Sequence, residues 1–334
     1  MRTTVEVLLA TYNGARFLRE QIDSILTQSM APSIPGQDDA DLRVLARDDG
    51  SSDGTVEILN EYAERFPGRF QLLPPGPASG NAKDNFLLLM KASTAQYICF
   101  SDQDDVWLPD KVSTSRKAME QLESRWGPDL PLLVFTDLCV VDDQLRTLHA
   151  SFWAHEKMVP ERIHRFAAVL AQNVVTGCTA MVNRPLLELA LRMPEDAFMH
   201  DQWIALLASV MGRAGVVKAR TVLYRQHDRN IIGVREREPA RSVPEWMRRF
   251  RNTDARLFQC KVSQRQAVGF LRVHGDELSE NHRELLRAYL RCGSSRSRLV
   301  RIATLIRYGF LRTGLLRKLA LFVDLWTMKV EEHG

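Results

Sequence analysis

Residues 97–112 read YICFSDQDDVWLPDKV, Tyr97 through Val112. Tyr97 to Phe100 is a short apolar run of the kind that fills a buried strand, and a helical pattern, Lys111 to Trp126, follows. Between them stand three aspartates, Asp102, Asp104 and Asp105. Like charges packed that closely repel one another unless a cation or hydrogen-bond donors offset them. Carboxylates at a strand end suit Mg²⁺ or Mn²⁺, which take oxygen ligands and share them with substrate phosphates. A solvated acidic turn capping the next helix is the other reading of these residues.

Working outward, Val5 to Ala10, Leu42 to Ala46, Phe70 to Leu73 and Leu132 to Phe135 also read as buried strands. Arg16 to Leu26 places Phe17, Ile22, Ile25 and Leu26 at helical spacing, and Thr55 to Phe66 and Asn85 to Ala92 repeat the pattern. The alternation predicts an α/β fold, a mostly parallel sheet with helices on both faces. Ligands of such sheets bind beyond the carboxyl ends of the strands. The polar clusters fall there: Thr11-Tyr12-Asn13-Gly14, Asp48 to Gly54, and Ser101 to Asp105. In the second cluster glycine permits close backbone approach, and the carboxylates can accept from a base N–H or a ribose hydroxyl. An ordinary turn with Asp53 or Thr55 as helix N-cap is the alternative.

The 334 residues are 45% hydrophobic and 26% charged, which argues against a disordered or fibrous chain. Five cysteines, Cys99, Cys139, Cys178, Cys260 and Cys292, are too far apart for a CxxC site and odd in number, which fits a reducing cytosol. The apolar run Val5 to Ala10 is too short for a signal peptide. The apolar tail is cut by Arg312, Arg317, Lys318 and Asp324, so no span of the roughly 20 residues needed to cross a bilayer is expected. Residues 30–41 read as a surface loop, and Pro239 and Pro244 mark a boundary. Residues 241–334 hold 19 Lys+Arg against 9 Asp+Glu, leaving 26 against 32 for residues 1–240. An acidic part and a basic part follow each other along the chain.

Taken in order, LLATYNGARFLREQIDSILTQS, ARDDGSSDGT, GNAKDNF, YICFSDQDDVWLPDKV, TGCTAMVNRPLL, HDQW and YRQH resemble the inverting family 2 glycosyltransferases of the GT-A fold. The likeness runs from about residue 4 to 233 and is greatest to bacterial rhamnosyltransferases of cell-surface polysaccharide assembly. It implies that Thr11, Tyr12 and Asn13 line a nucleotide pocket, that Asp48 or Asp49 meets the base, and that Lys83 or Asn85 reaches the pyrophosphate. Asp102 and Asp104 would be the D-x-D pair, holding Mg²⁺ or Mn²⁺ on the donor diphosphate, with His227 as a further metal ligand; Arg225 or Arg229 could instead clamp the diphosphate. Asp201, in HDQW, would be the general base, although the family commonly has Glu where this chain has His200. Trp203 stacks an acceptor or belongs to the core, and Gly177-Cys178 faces the donor sugar or acceptor; Cys178 lacks the paired base a nucleophile needs. The implied donor is a nucleotide-sugar such as dTDP-rhamnose, and the acceptor a glycan or lipid-linked glycan.

Two regions are expected: a GT-A catalytic domain, residues 1–235, and a basic, mainly helical region, residues 236–334. Within the latter, residues 296–330 alternate Arg301, Arg307, Arg312, Arg317 and Lys318 with apolar residues. Such a segment either lies peripherally on an anionic membrane surface, here the inner face of the bacterial cytoplasmic membrane, or packs on the catalytic domain with its arginines in solvent. No aromatic-basic motif points to nucleic acid. A sugar nucleotidylyltransferase would show a Gly-rich loop where Ala10 to Gly14 stand, and a dinucleotide oxidoreductase would show G-x-G-x-x-G. A non-catalytic, membrane-associated nucleotide-sugar-binding protein would have no need of Asp102, Asp104 and Asp201 together.

Overall fold

The computed structural model describes residues 4–29, 41–227 and 253–327; the Pro239–Pro244 boundary, Arg229 and nearly all of the loop 30–41 lie outside them. The chain runs β1 (Thr4–Thr11), α1 (Ala15–Leu26), β2 (Asp41–Asp48), α2 (Thr55–Arg65), β3 (Phe70–Leu72), α3 (Ala82–Ala92), β4 (Tyr97–Ser101), β5 (Val106–Trp107) and α4 (Lys111–Trp126). It continues through β6 (Leu132–Val141), β7 (Thr147–His149), α5 (Phe152–His155), α6 (Phe166–Ala171), β8 (Ala180–Asn183), α7 (Arg184–Ala190), α8 (His200–Met211) and β9 (Arg213–Arg225). Four helices close it: α9 (Thr253–His274), α10 (Glu280–Ser294), α11 (Arg298–Tyr308) and α12 (Leu315–Thr327).

One sheet has the order β3-β2-β1-β4-β8-β6-β9-β5, with β7 paired to β6. The first four strands in this order are parallel, as the alternation with helices requires. Beyond β4 the sheet is mixed: β8 runs antiparallel to both β4 and β6, whereas β6 and β9 are parallel. The expectation of a mostly parallel sheet therefore holds for only one half. Ala180–Asn183 is too short a run to signal its direction.

Strand side chains alternate between two apolar layers, as a period of two demands. Val5, Val7, Leu9, Tyr97 and Cys99 face the layer of Ile22, Leu59 and Met119, on the side of α1, α2 and α4. Leu8, Ile98 and Phe100 face the opposite layer, which runs through Phe86 and Trp203 to Phe270, Leu305 and Leu325. The helices after residue 253 thus share a core with the sheet rather than building their own. Trp203 is fully buried, edge-on to Phe270 at 5.2 Å, so it is core and no stacking surface. The basic tail is two helices, because Gly309 takes a left-handed conformation (φ 72°) and ends α11.

Candidate active site

Three loops meet at the carboxyl ends of β1, β2 and β4, and side chains tie each to its neighbours. Thr11 Oγ1 donates to Asp48 Oδ1 (3.0 Å). The Asn13 amide donates to Ser51 Oγ (2.8 Å), and Asn13 Oδ1 accepts from the Ser52 amide (2.8 Å). This exchange holds Asn13 at φ 49°, a left-handed conformation that asparagine tolerates better than most residues. The Gly14 amide donates to Thr55 Oγ1 (2.9 Å) and the Ala15 amide to Asp53 Oδ2 (3.2 Å). Asp53 accordingly serves the start of α1 as well as its own turn. Burial pushes its carboxyl up, but the bonds from Thr55 and Ala15 prevail and hold it below the ordinary value.

The third loop supplies a bracket that sequence reasoning passed over. Gln103 Oε1 accepts from the Tyr12 amide (2.8 Å) while Gln103 Nε2 donates to the Tyr12 carbonyl (2.9 Å). A Cβ on Gly14 would lie 2.2 Å from Gln103 Oε1, so the glycine is there to admit this amide. The Tyr12 ring stands 57% exposed, displayed over the cleft mouth rather than packed. The available signal was a glutamine set between two aspartates, where it cannot be a metal ligand of the usual kind.

The two acidic residues after β2 differ in surroundings. Asp48 folds the turn, accepting from the Gly50 and Ser51 amides and from Ser51 Oγ. Asp49 is buried, pairs with Arg47 at 2.8 Å, and accepts from the Ser79 and Gly80 amides. Burial raises its carboxyl, yet these donors outweigh burial and keep it below the ordinary range. Lys83 has a different task from the expected pyrophosphate contact: it is buried, its Nζ donating to the Glu195 carbonyl (2.6 Å) and pairing with Asp84 (2.9 Å). Asn85 is buried against Arg47 and Thr11, and the cap of α3 is Asn81 instead.

At the end of β4 the aspartates are pressed together. Burial, then the charges of Asp104 and Asp201, push the Asp102 carboxyl up to about 7. Asp105 is fully buried, accepts from the Arg225 amide (3.1 Å) and keeps Oδ2 without a partner; burial and the charges of Asp104 and Asp102 raise it well above the ordinary value. Asp104 Oδ2 lies 2.7 Å from His227 Nε2. At that distance the two are hydrogen-bonded to each other, and imidazole and carboxylate are both groups that Mn²⁺ accepts as ligands. Asp102, Asp105 and Cys178 also bring their donor atoms within 4.8 Å of one another. Burial and the carboxylates raise the Cys178 thiol, which keeps it protonated and unsuited to a hard cation. The carboxylates of Asp102 and Asp105, with Asp104 and His227 beside them as a hydrogen-bonded pair, are donors of the kind such an ion takes.

Arg225 corrects another expectation. Its side chain is buried, donating from Nε to the Asp104 carbonyl (2.8 Å), from Nη1 to the Asp143 carbonyl (2.7 Å), and pairing with Glu20, with Phe17 beneath it at 4.4 Å. It holds the Asp104 backbone in place and does not present itself to a diphosphate.

Asp201 sits in the first turn of α8, whose N-cap is Met199. Its Oδ1 accepts from the Gln202 amide (2.6 Å), and the Gly177 amide and Asn173 side chain also bond its carboxylate. Burial outweighs these donors and pushes it up to about 6. Its charge reaches Asp102, so the structure brings the two together from strands and helices a hundred residues apart. His200 faces the other way: it lies buried between Phe86 (4.1 Å) and Phe100 (5.0 Å) and is pushed down to about 3 by burial. A neutral imidazole fits that apolar slot where an ionised glutamate would not. Gly177 makes room for it, since a Cβ there would come 2.9 Å from His200 Nε2.

A mixed sheet with these loops at its strand ends and a carboxylate facing them from α8 is the GT-A fold. Residues 6–125 match the family described as Glycosyl transferase family 2, and the chain carries that family's domain and is a glycosyltransferase. Similar proteins include the dTDP-rhamnosyl transferase RfbG of Shigella flexneri, 26% identical over 237 residues, 67% of this chain and 73% of that one. An uncharacterized glycosyltransferase of Nostoc is 29% identical over 32% of this chain and 30% of its own length. Among solved structures, S. aureus TarS 1-349 superposes with a TM-score of 0.55 at 14% identity, covering 98% of this chain and 81% of that one. Pyrobaculum calidifontis mannosyltransferase PcManGT, in complex with GDP-Man and Mn²⁺, gives 0.50 at 20% identity, over 97% and 85%.

Proposed function

We propose that the protein is a metal-dependent inverting rhamnosyltransferase that uses dTDP-rhamnose and a glycan or lipid-linked glycan acceptor in cell-surface polysaccharide synthesis. The observation that carries this reading is the pressing of Asp102 against Asp104 and Asp201 in one cleft, with His227 at 2.7 Å from Asp104. Such an arrangement is unfavourable until a cation and a diphosphate are present. The donor assignment draws on the likeness to RfbG, and the metal on the Mn²⁺ held by PcManGT.

In this reading Thr11, Tyr12 and Asn13 form the wall of the nucleotide pocket, and Asp48 and Asp49 order the turn that meets the base. Asp102, Asp104 and His227 hold the divalent cation, which when bound supplies Lewis acidity toward the leaving nucleoside diphosphate. Asp201 takes the proton of the acceptor hydroxyl as its oxygen bonds to the anomeric carbon. The opposite C1–O bond to the diphosphate breaks in the same step, inverting the centre. Residues 1–235 would be the catalytic unit, with the region after 235 an attachment to it.

Calorimetry of dTDP binding tests the metal site. Affinity should be higher in Mg²⁺ or Mn²⁺ than in EDTA, and Asp104→Asn should remove most of that gain. Equal affinity under all conditions would reject the assignment.

A further inference from the structure

The charges that make the C-terminal tail look basic are largely turned inward. Arg301 is buried, donating from Nε to the Ser295 carbonyl (2.6 Å) and from Nη1 to the Leu325 carbonyl (2.7 Å). Arg312 reaches the Ala171 carbonyl, and Arg317 pairs with Glu156, just after α5. Beside their exposed arginines, α11 and α12 leave a set of large apolar residues outside. Leu315 (72% exposed), Leu319, Val323 and Trp326 follow one another along one side of α12, at helical spacing. On α11 the exposed apolar residues are Leu299 (72%), Val300, Ala303 and Ile306. The Arg298 guanidinium lies 5.5 Å over the Trp326 ring, joining the start of α11 to the end of α12, so the two helices form an antiparallel hairpin.

The rim of this face is cationic. Arg296, Arg298 and Arg307 are exposed and Lys318 is half-buried. The acidic residue between 296 and 327, Asp324, is buried. We propose that the α11–α12 hairpin docks on an anionic lipid surface, its apolar residues entering the interface and its rim of Arg298, Arg307 and Lys318 meeting the headgroups. Charge complementarity selects this occupant. A second copy of the chain would set the same cations opposite one another, whereas anionic headgroups neutralise them. Trp326 beneath an arginine is an amphipathic ring of the kind that settles at a membrane–water boundary. No helix among the described residues is long and apolar enough to cross a membrane, so the attachment lies along the surface.

The hairpin is tied to the catalytic side. Thr313, just before α12, donates through its amide (2.8 Å) and hydroxyl (3.0 Å) to Gln172 Oε1, and the next residue, Asn173, bonds Asp201. A docked membrane would therefore lie near the base. That point rests on Asp201 being the base, and the docking itself does not.

The test is co-sedimentation of the full chain with phosphatidylcholine vesicles, with and without phosphatidylglycerol. The wild type should sediment with the anionic vesicles and remain largely in solution with the neutral ones. The combined change Leu315→Glu, Leu319→Glu and Trp326→Glu should lower partitioning by more than tenfold with its melting temperature kept. The pair Arg298→Gln and Arg307→Gln should lower it by about thirtyfold, the loss of two basic contacts at the membrane surface. Wild type that stays in solution with anionic vesicles overturns the proposal. So does equal sedimentation of all variants, or vesicle-free dimerisation of the wild type that the apolar-face variant abolishes. Donor hydrolysis measured in parallel, without vesicles, reports on the active site alone.

Discussion

Two of the places where this molecule buries charge have opposite consequences. At the end of β4, Asp105 is buried and Asp102 is partly so, with the partly buried Asp201 of α8 acting on Asp102, and all three carboxyls are raised. In the C-terminal helices Arg301 is buried too, but against backbone carbonyls that accept its N–H groups. The first arrangement is incomplete without a ligand; the second is a strut and needs nothing more. The comparison teaches that net charge along a segment says little about function until the partners of each charge are known.

The largest effect that would sharpen this contrast is at the base. Asp201→Asn should lower turnover by roughly 10² to 10⁴ with donor affinity nearly intact, as expected for a positioned general base. Steady-state kinetics with separate donor titration would check it, and a mutant of wild-type turnover moves the base elsewhere. Because burial raises Asp201 to about 6, and the base acts when deprotonated, the wild-type rate should climb as pH passes through about 6.

The strut is next in size. Arg301→Ala leaves the Ser295 and Leu325 carbonyls without their donor and should cost about 3 kcal/mol, while exposed Arg307→Ala should stay within about 0.5 kcal/mol. Urea unfolding of the two variants decides. Equal midpoints would erase the distinction between inward and outward arginines.

A smaller effect is expected where Gln103 brackets Tyr12. Gly14→Ala drives a methyl into the Gln103 amide and should weaken dTDP binding about fivefold, roughly the worth of one hydrogen bond. Gln103→Ala should do the same, and the double variant little more, since both break one bracket. Additive losses measured by calorimetry would show that the glycine and the glutamine act separately.

A last effect is a trend of stability with pH. Asp102 is raised from 3.8 to about 7 by burial and its acidic neighbours, so the folded state holds a proton the unfolded chain releases. Its contribution is present below pH 3.8 and is lost as pH rises through about 7. In EDTA, Asp102→Asn should therefore melt like wild type near pH 4 and above it near pH 7, and Mn²⁺ should raise the wild type alone. Parallel curves across that range would contradict the repulsion.

Much of the site was legible before any coordinates. The apolar runs before Thr11, Asp48 and Asp102 have only one strand-like reading, and polar residues after a buried strand must emerge at its carboxyl end. What could not be read was orientation. Lys83, Arg225, Arg301 and Arg317 are long, flexible cations whose sequence neighbours say nothing of the carbonyl or carboxylate each will find. Among the partners these four find are the distant Glu195, Asp104, Leu325 and Glu156.

The sequence by itself determined the local matters: which segments are strands and helices, where the acidic turns fall, and that a basic amphipathic tail follows. Periodicity and turn chemistry act over a few residues and need no tertiary partner. Only the tertiary structure decided that β8 inserts antiparallel between β4 and β6, that Asp201 comes to act on Asp102, and that Arg301 turns inward while Leu299, Leu315 and Leu319 stay outside. These depend on contacts between residues far apart in the chain, and there the free energy of burying a charge is set by whichever group lies opposite it.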